Sequence, residues 1–228
     1  MPDLALSKQY VLYIDLLGYK VIMNEISEVE FLKVFDRSFR EAVKTITTMS
    51  QPTHSKSVFA YRVFSDNIVV ATEADSTYAL YSLSFIAYIL QREFVGQGLM
   101  CRGAITKGYL YINNEYVFGS GLIRAYELED RVAYYPRIIL DRLPEADSLI
   151  ENYDVYHKDS DGYIMIDYLR VREQQDIRCP LMAKHKLIVE SGLRTHKADE
   201  RIFQKYAWCR EYHNSSCVRF ESPFLSID

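Results

Sequence analysis

The order in which hydrophobic patterns follow one another constrains the fold of this chain most. Runs rich in Val, Ile and Tyr alternate with runs of helical periodicity in the order strand, helix, strand, strand, helix, strand. The predicted strands cover residues 10–15, 57–64, 67–72 and 99–106, and the predicted helices cover residues 28–48 and 75–95. This order predicts an α+β fold of ferredoxin-like plan, with a central antiparallel sheet and flanking helices.

The remainder of the chain continues this alternation of strands and helices up to about residue 144, and the sequence pattern differs beyond that point. Residues 109–112 extend the fourth strand or begin its partner, a helix is expected within residues 117–132, and a short strand within 137–140. Beyond about residue 144 we expect one strand at 163–169 and helices at 182–192 and 197–213. We therefore divide the chain into a domain of residues 1–144 and a C-terminal extension, 145–228, that packs on it without forming an independent domain.

Composition excludes several classes of protein. The net charge of −4 predicts no binding of nucleic acid or of anionic membranes. No apolar stretch is long enough to span a bilayer, and the start of the chain carries no signal-peptide pattern. The four cysteines are scattered, which argues against a zinc site and for reduced thiols. We expect a soluble, cytoplasmic protein.

Two aspartates stand at the ends of predicted strands. Asp15 closes the first strand, and Asp66 lies in the tight turn between the second and third. Burying an unpaired carboxylate is expensive, whereas two carboxylates on neighbouring strands suit a hard divalent cation. The Leu16-Leu17-Gly18 segment that follows predicts a turn whose backbone amides face a triphosphate. The alternative is two unrelated turn-capping aspartates.

Four motifs resemble, in order, those of the class III nucleotidyl cyclases across roughly residues 10–140. They are Ile14-Asp15-Leu16-Leu17-Gly18-Tyr19, Phe64-Ser65-Asp66-Asn67, the Arg102–Gly108 segment and the Gly119–Glu129 segment. The resemblance implies a class III cyclase catalytic domain that holds two Mn²⁺ or Mg²⁺ ions through Asp15, Asp66 and the backbone carbonyl of Leu16. It also implies a head-to-tail homodimer with active sites at the subunit interface.

The same resemblance assigns nucleotide contacts. They are expected from Leu16, Leu17, Gly18, Tyr19, Arg62, Arg102 and Tyr116. Arg62 stands where the family has a base-selecting lysine, and Tyr116 falls near the position of its aspartate or cysteine partner.

Other positions depart from the family pattern. Ile123 and Glu127 replace the usual asparagine and transition-state arginine, which leaves Arg124 as the candidate catalytic arginine. Ser65 stands where the family usually has glycine before the second aspartate.

These departures resemble the bacterial pyrimidine cyclases of anti-phage defence. The resemblance implies conversion of UTP to 3′,5′-cyclic UMP and pyrophosphate, with a separate effector that senses the cyclic nucleotide. Uracil offers two carbonyl acceptors and one N–H donor, which Arg62 and Tyr116 can meet. Three alternatives stay open, namely a cytidylate cyclase, a purine cyclase making cyclic AMP or GMP, and a catalytically silent nucleotide-binding scaffold.

Structural roles compete with the functional ones at four of these positions. Arg62 can be a solvated residue of a sheet face, and Arg102 can pair with a local carboxylate. Tyr116 can pack at a subunit boundary, and Arg124 can form a surface salt bridge on its helix.

Overall fold

A computed structural model describes residues 5–18, 27–49, 58–170, 180–219 and 226–228. The strands are β1 (Ser7–Leu17), β2 (Phe59–Phe64), β3 (Asn67–Glu73), β4 (Met100–Ile112), β5 (Val117–Phe118), β6 (Ile138–Leu140), β7 (Tyr156–Lys158) and β8 (Ile164–Ile166). The helices are α1 (Glu28–Met49), α2 (Thr77–Gly96), α3 (Ser120–Arg131), α4 (Ala146–Asn152), α5 (Pro180–Thr195) and α6 (Glu200–Arg219).

One sheet organises these elements, in the strand order β2-β3-β1-β4-β6-β8-β7, with β5 paired to β4. The pairs β2–β3, β3–β1 and β1–β4 are antiparallel, and β6 joins β4 in parallel. The first four strands therefore have the ferredoxin-like order that the sequence predicts. The prediction of an α+β fold with a central sheet and flanking helices is confirmed.

The central strand β1 is buried on both faces of the sheet. Successive side chains of a strand point to opposite faces, so two sets of β1 side chains pack in two different clusters. Tyr10, Leu12 and Ile14 pack in the cluster that includes the side chains of α1 and α2. Val11 and Tyr13 point to the opposite face, where they pack with residues of α3. Asp15 continues this second set, so its carboxylate lies on the side of the sheet that α3 covers.

Several elements differ from their predicted bounds. Residues 109–112 continue β4 and do not start a new strand. The predicted strand at 163–169 is limited to β8, and neither α4 nor β7 is predicted, because segments of 3 to 7 residues carry too little periodicity. The cap of α2 is Ser76, whose hydroxyl accepts a hydrogen bond from the Ala79 amide at 3.1 Å.

The segment after residue 144 contributes both to the sheet and to a second core. β8 pairs with β6 and with β7, which widens the sheet. Met182 and Val189 of α5 and Cys209 and Tyr212 of α6 pack in a cluster that includes residues of β4, β6 and β8. In the described part of the chain, no helix has the length and apolar character needed to cross a membrane. The described cysteines Cys101, Cys209 and Cys217 are free and buried.

Candidate active site

The two predicted metal-binding aspartates lie together at one end of the sheet. Asp15 is the register partner of Asn67 on β3, and Asp66 precedes Asn67 in the β2–β3 turn. The Leu16 amide donates a hydrogen bond to the backbone carbonyl of Asp66 at 3.0 Å, which joins the turn to β1. The folded chain therefore brings Asp15, near the end of β1, beside the turn that leads into the adjacent strand β3 and carries Asp66.

Asn67 orients the Asp66 side chain. Its amide nitrogen donates to Asp66 Oδ1 at 3.0 Å, and its amide oxygen accepts a hydrogen bond from the Tyr13 hydroxyl. The Tyr13 ring in turn packs edge-on against Tyr126 of α3, with 5.8 Å between ring centroids. The orientation of Asp66 therefore depends on a chain of contacts that runs to α3. Sequence reasoning assigned no role to Asn67, although the residue lies inside one of the quoted motifs.

Arg102 lies between two carboxylates. Its Nε is 3.3 Å from Asp15 Oδ2 and 2.5 Å from Oε1 of Glu129, a buried residue of α3. The ladder between β1 and β4 pairs Arg102 directly with Asp15, and this places the guanidinium beside the carboxylate. The predicted contact of Arg102 with substrate stays a prediction, and in the folded chain its guanidinium faces these acids.

Burial and like charge shift the acids of this cluster. The pKa of Asp15 is raised by burial, an effect that Arg102 opposes and Asp66 increases. Burial also raises the pKa of Glu129 to about 7, with Arg102 opposing and Asp15 adding to the shift. Two neighbouring carboxylates and a third buried acid concentrate negative charge beside Arg102, and a bound divalent cation would compensate that charge.

The donor set fits a divalent metal site completed by substrate. In the described residues, no group of three or more His, Cys, Asp and Glu side chains forms a metal cage. Two aspartate carboxylates are nevertheless the donors that Mg²⁺ takes when substrate phosphates and water supply its other ligands. The predicted participation of the Leu16 carbonyl stays a prediction.

The chain after Asp15 turns sharply at Gly18. Gly18 has a φ of 72°, a left-handed conformation that glycine adopts without steric cost. Leu17 and Gly18 border a cavity of about 340 Å³ whose far wall is formed by α5 and α6. Tyr19, predicted to bind nucleotide, lies outside the described residues.

Lys205 of α6 extends toward this region from the far end of the sequence. The residue lines the cavity beside Gly18, and its Nζ lies 5.3 Å from the centroid of the Tyr134 ring. Its pKa is lowered by burial and by the positive charges of Arg102 and Arg201, whereas Asp15 and Glu129 counteract that shift. In the sequence, the aromatic residues at helical spacing in 205–213 favour a helix docked on the core or on a second subunit over a ligand site, so they assigned Lys205 no role in the site.

The predicted base-selecting residues meet at the β4–β5 turn. Arg62 of β2 donates through Nη2 to Asn114 Oδ1 at 2.8 Å and through Nη1 to the carbonyl of Tyr61 at 2.5 Å. Tyr116, two residues beyond Asn114, is 60% exposed, and its amide donates to Asn113 Oδ1 at 2.7 Å. The structure therefore brings Arg62 to the turn that carries Tyr116, through Asn114, an asparagine that the sequence marks as a turn residue without a role in the site.

Arg124 occupies a separate position. Its guanidinium donates to both oxygens of Asp141, at 2.9 and 2.8 Å, and Thr106 also donates to Asp141 at 3.0 Å. Burial raises the pKa of Asp141, but the hydrogen bonds from Arg124, the Arg142 amide and Thr106 outweigh this, and the net shift is downward. Within one chain, Arg124 is held at Asp141 and is not among the groups that contact Asp15.

Comparisons with known proteins leave the family undetermined. No protein-family model matches the chain, and no curated protein matches it. Among solved structures, the guanylyl cyclase Cya2 matches with a TM-score of 0.43 and 16% identity, over 75% of this chain and 96% of that chain.

Two further solved structures match at a similar level. The catalytic core of a rhodopsin-guanylyl cyclase with converted specificity, in complex with ATPαS, has a TM-score of 0.48 and 12% identity over 71% of this chain and 96% of its own. A bacterial light-regulated adenylyl cyclase has a TM-score of 0.42 and 10% identity over 81% of this chain and 57% of its own. All three TM-scores lie below 0.5, a level of likeness that carries no argument about family or activity.

Proposed function

We propose that this chain is a nucleotidyl cyclase that converts UTP to 3′,5′-cyclic UMP and pyrophosphate. The observation that carries the proposal is the hydrogen bond from the Leu16 amide to the Asp66 carbonyl, which holds the β2–β3 turn with Asp66 beside Asp15 at the end of β1 in a ferredoxin-like sheet. The ordered motifs predict this placement, and the two carboxylates suit a substrate that brings its own phosphate ligands.

The reaction requires positioning and charge neutralisation more than covalent chemistry by the protein. The ribose 3′ oxygen forms a bond to the α-phosphorus, the bond from the α-phosphorus to the bridging oxygen breaks, and pyrophosphate leaves with the electron pair. The 3′-hydroxyl proton is released to solvent. Asp15 and Asp66 would hold the divalent ions, which would supply charge neutralisation at the phosphates and lower the pKa of the 3′ hydroxyl.

The residues of this chain have distinct tasks in that scheme. Asp15 and Asp66 bind the cations, Asn67 holds Asp66 in orientation, and Arg102, which also pairs with the buried acid Glu129, favours the ionised form of Asp15. The turn at Gly18 presents backbone amides to the phosphates. Arg62, held by Asn114, donates to a base carbonyl, and Tyr116 completes the base contact.

A homodimer belongs to the proposal, with Arg124 serving at the subunit interface. Several large apolar side chains between residues 109 and 126 are exposed, on β4, the β4–β5 turn, β5 and α3. Their exposure supports burial by a second copy. They are Tyr109 at 56%, Tyr116 at 60%, Phe118 at 68%, Ile123 at 60% and Tyr126 at 52% exposure. The proposed biological role is synthesis of a second messenger in anti-phage defence, read by a separate effector.

The direct test incubates the purified protein with Mn²⁺ and each of the four ribonucleoside triphosphates in turn. Products are identified by mass and chromatography, and a chelator control removes the metal. Cyclic UMP with pyrophosphate is the expected result, and cyclic CMP would move the assignment to a cytidylate cyclase. A cyclic purine would keep the activity and refute the roles of Arg62 and Tyr116. Binding of a triphosphate without any product would favour the silent scaffold.

The aspartate assignment has its own test. Asp66→Ala is expected to lower turnover by at least about 100-fold, because the substitution removes a charge that binds the cation in the transition state. Asp147→Ala, at an exposed aspartate of α4, is the matched control and is expected to keep wild-type turnover. Circular dichroism establishes that both variants fold. A folded, fully active Asp66→Ala protein would refute the metal site.

A further inference from the structure

The position of Lys205 on α6 is defined by contacts with the core. The Tyr134 hydroxyl donates a hydrogen bond of 3.0 Å to the backbone carbonyl of Arg201, which lies one helical turn before Lys205 on α6. The ring of Tyr134 then lies 5.3 Å from Lys205 Nζ, within cation–π range. Tyr135 stacks on Trp208 of the same helix, with 5.4 Å between ring centroids. These contacts attach this part of α6 to the segment that follows α3.

The ammonium group borders the cavity that begins where β1 ends. Lys205, His196 and Tyr206 contribute polar groups to the lining of this cavity, which Leu17 and Gly18 share, and the remaining lining is mostly apolar. A strand rises about 3.3 Å per residue, so the α-carbon of Gly18 lies about 10 Å beyond that of Asp15. This distance is on the scale of a triphosphate chain extending from the aspartates toward Lys205.

The positive charge of Lys205 lacks a close carboxylate partner among the described residues, which favours an anionic ligand. Lys205 forms no salt bridge with any residue in the described part of the chain. The negative charges of Asp15 and Glu129 nevertheless act to raise its pKa. Arg102 contacts both of those acids. A half-buried ammonium group without a close counter-charge is costly, and a phosphate oxygen would offset that cost.

We infer that Lys205 binds the terminal phosphates of the nucleoside triphosphate, so that the C-terminal helix α6 forms part of the substrate site. The inference rests on the proposed function and extends it to a segment outside the cyclase-like region of the sequence. The lysine supplies a compact positive charge to the β- and γ-phosphates and stabilises pyrophosphate as the leaving group.

Binding of inorganic tripolyphosphate in the presence of Mn²⁺, measured by calorimetry, tests the inference without requiring turnover. Lys205→Met is expected to weaken binding by about tenfold or more, and Lys205→Arg, which keeps the charge, by less than about threefold. Lys197→Met is the matched control, because Lys197 is an exposed lysine in the turn between α5 and α6, and its affinity is expected to equal that of the wild type. In turnover assays, KM for the triphosphate is expected to rise in parallel with the loss of affinity in Lys205→Met.

Two results overturn the inference and separate it from the proposed function. If the wild type makes cyclic nucleotide and Lys205→Met binds tripolyphosphate equally well, Lys205 has no phosphate role and the cyclase assignment stands. If the wild type binds no tripolyphosphate and makes no product, both fail.

A labelling experiment on the wild type avoids dependence on the folding of any variant. Tripolyphosphate with Mn²⁺ is expected to slow acetylation of Lys205 by an amine-reactive reagent by about threefold or more, as quantified by peptide mass spectrometry. Lys197 is expected to react at an unchanged rate. Equal acetylation of Lys205 with and without tripolyphosphate would contradict the inference.

Discussion

At the residue scale, the turn that carries Asp66 contains a strained backbone. Ser65 has a φ of 56°, which is uncommon for a residue other than glycine. The resembled family usually has glycine at this position, so the chain retains the turn geometry with a side chain that disfavours it. Strain of this kind persists where the surrounding structure determines the conformation, here through the Leu16 amide and the Asn67 side chain.

Ser65→Gly is therefore expected to stabilise the fold by about 0.5–1 kcal/mol. Glycine adopts the left-handed backbone conformation without the steric cost that serine has there, and the greater conformational entropy of glycine in the unfolded chain offsets part of this stabilisation. Urea unfolding of both proteins measures the change. Lys8→Gly, at an exposed strand position of β1, is the control and is expected to destabilise. A loss of stability in Ser65→Gly would show that the serine side chain supports the turn.

Glu129 gives the fold a specific pH dependence. Burial raises its pKa from 4.5 to about 7, so the folded protein holds this proton more tightly than the unfolded chain does. Its contribution to stability is complete below pH 4.5 and is lost as the pH rises to about 7. Without metal, the free energy of unfolding of the wild type is expected to fall relative to that of Glu129→Gln over this window, by up to about 3 kcal/mol. Urea titrations at several pH values measure the difference, and parallel curves for the two proteins would refute the prediction.

At the scale of elements, α3 lies unusually close to β4. A Cβ atom placed on Gly108 would lie 2.6 Å from the α-carbon of Gly121, and one placed on Gly121 would lie 2.9 Å from Val11 Cγ2. The backbones of helix and strand therefore meet without intervening side chains. This close contact sets the position of α3, from which Glu129 faces Arg102 and Tyr126 packs on Tyr13.

Gly108→Ala is expected to push α3 away from the sheet, with a loss of about 1–3 kcal/mol in stability. Turnover is expected to fall at least about tenfold, because Arg102 and Asp15 lose their fixed geometry. Thermal unfolding and product formation are the two measurements. Gly96→Ala is the matched control, since no atom lies within 4 Å of its added Cβ. Unchanged stability and activity in Gly108→Ala would mean that the contact between helix and strand adjusts freely.

At the scale of the whole molecule, the exposed apolar side chains of the β4–β5 region and α3 bear on assembly. Phe118 of β5 is 68% exposed within one chain. Under the proposed function, each active site needs residues of both subunits, so association and turnover depend on the same surface.

Phe118→Asp is expected to weaken dimerisation by at least about tenfold, because a charge replaces apolar area at the interface. Light scattering after gel filtration measures the mass, and turnover is expected to fall on dilution. Leu187→Asp, at a 61% exposed leucine of α5, is the control and is expected to leave the mass unchanged. A Phe118→Asp protein that dimerises like the wild type would place the interface elsewhere.

Sequence reasoning was accurate where the signals are local. The apolar run in residues 10–15 and the helical periodicity in 28–48 each depend on neighbours within a few residues. It was less accurate for α4, β7 and the length of β8, where elements of 3 to 7 residues gain stability mainly from packing.

The sequence by itself determined the ferredoxin-like order of elements and the adjacency of Asp15 and Asp66, because strand order and turn positions follow from local patterns. Only the tertiary structure decided the surroundings of that pair. Distant parts of the chain meet in three places around it. Arg102 forms ion pairs with Asp15 and Glu129. Asn114 accepts a hydrogen bond from Arg62, and Lys205 lines the cavity beside Gly18. Such contacts depend on how helices and hairpins pack across the sheet, and no local periodicity encodes them.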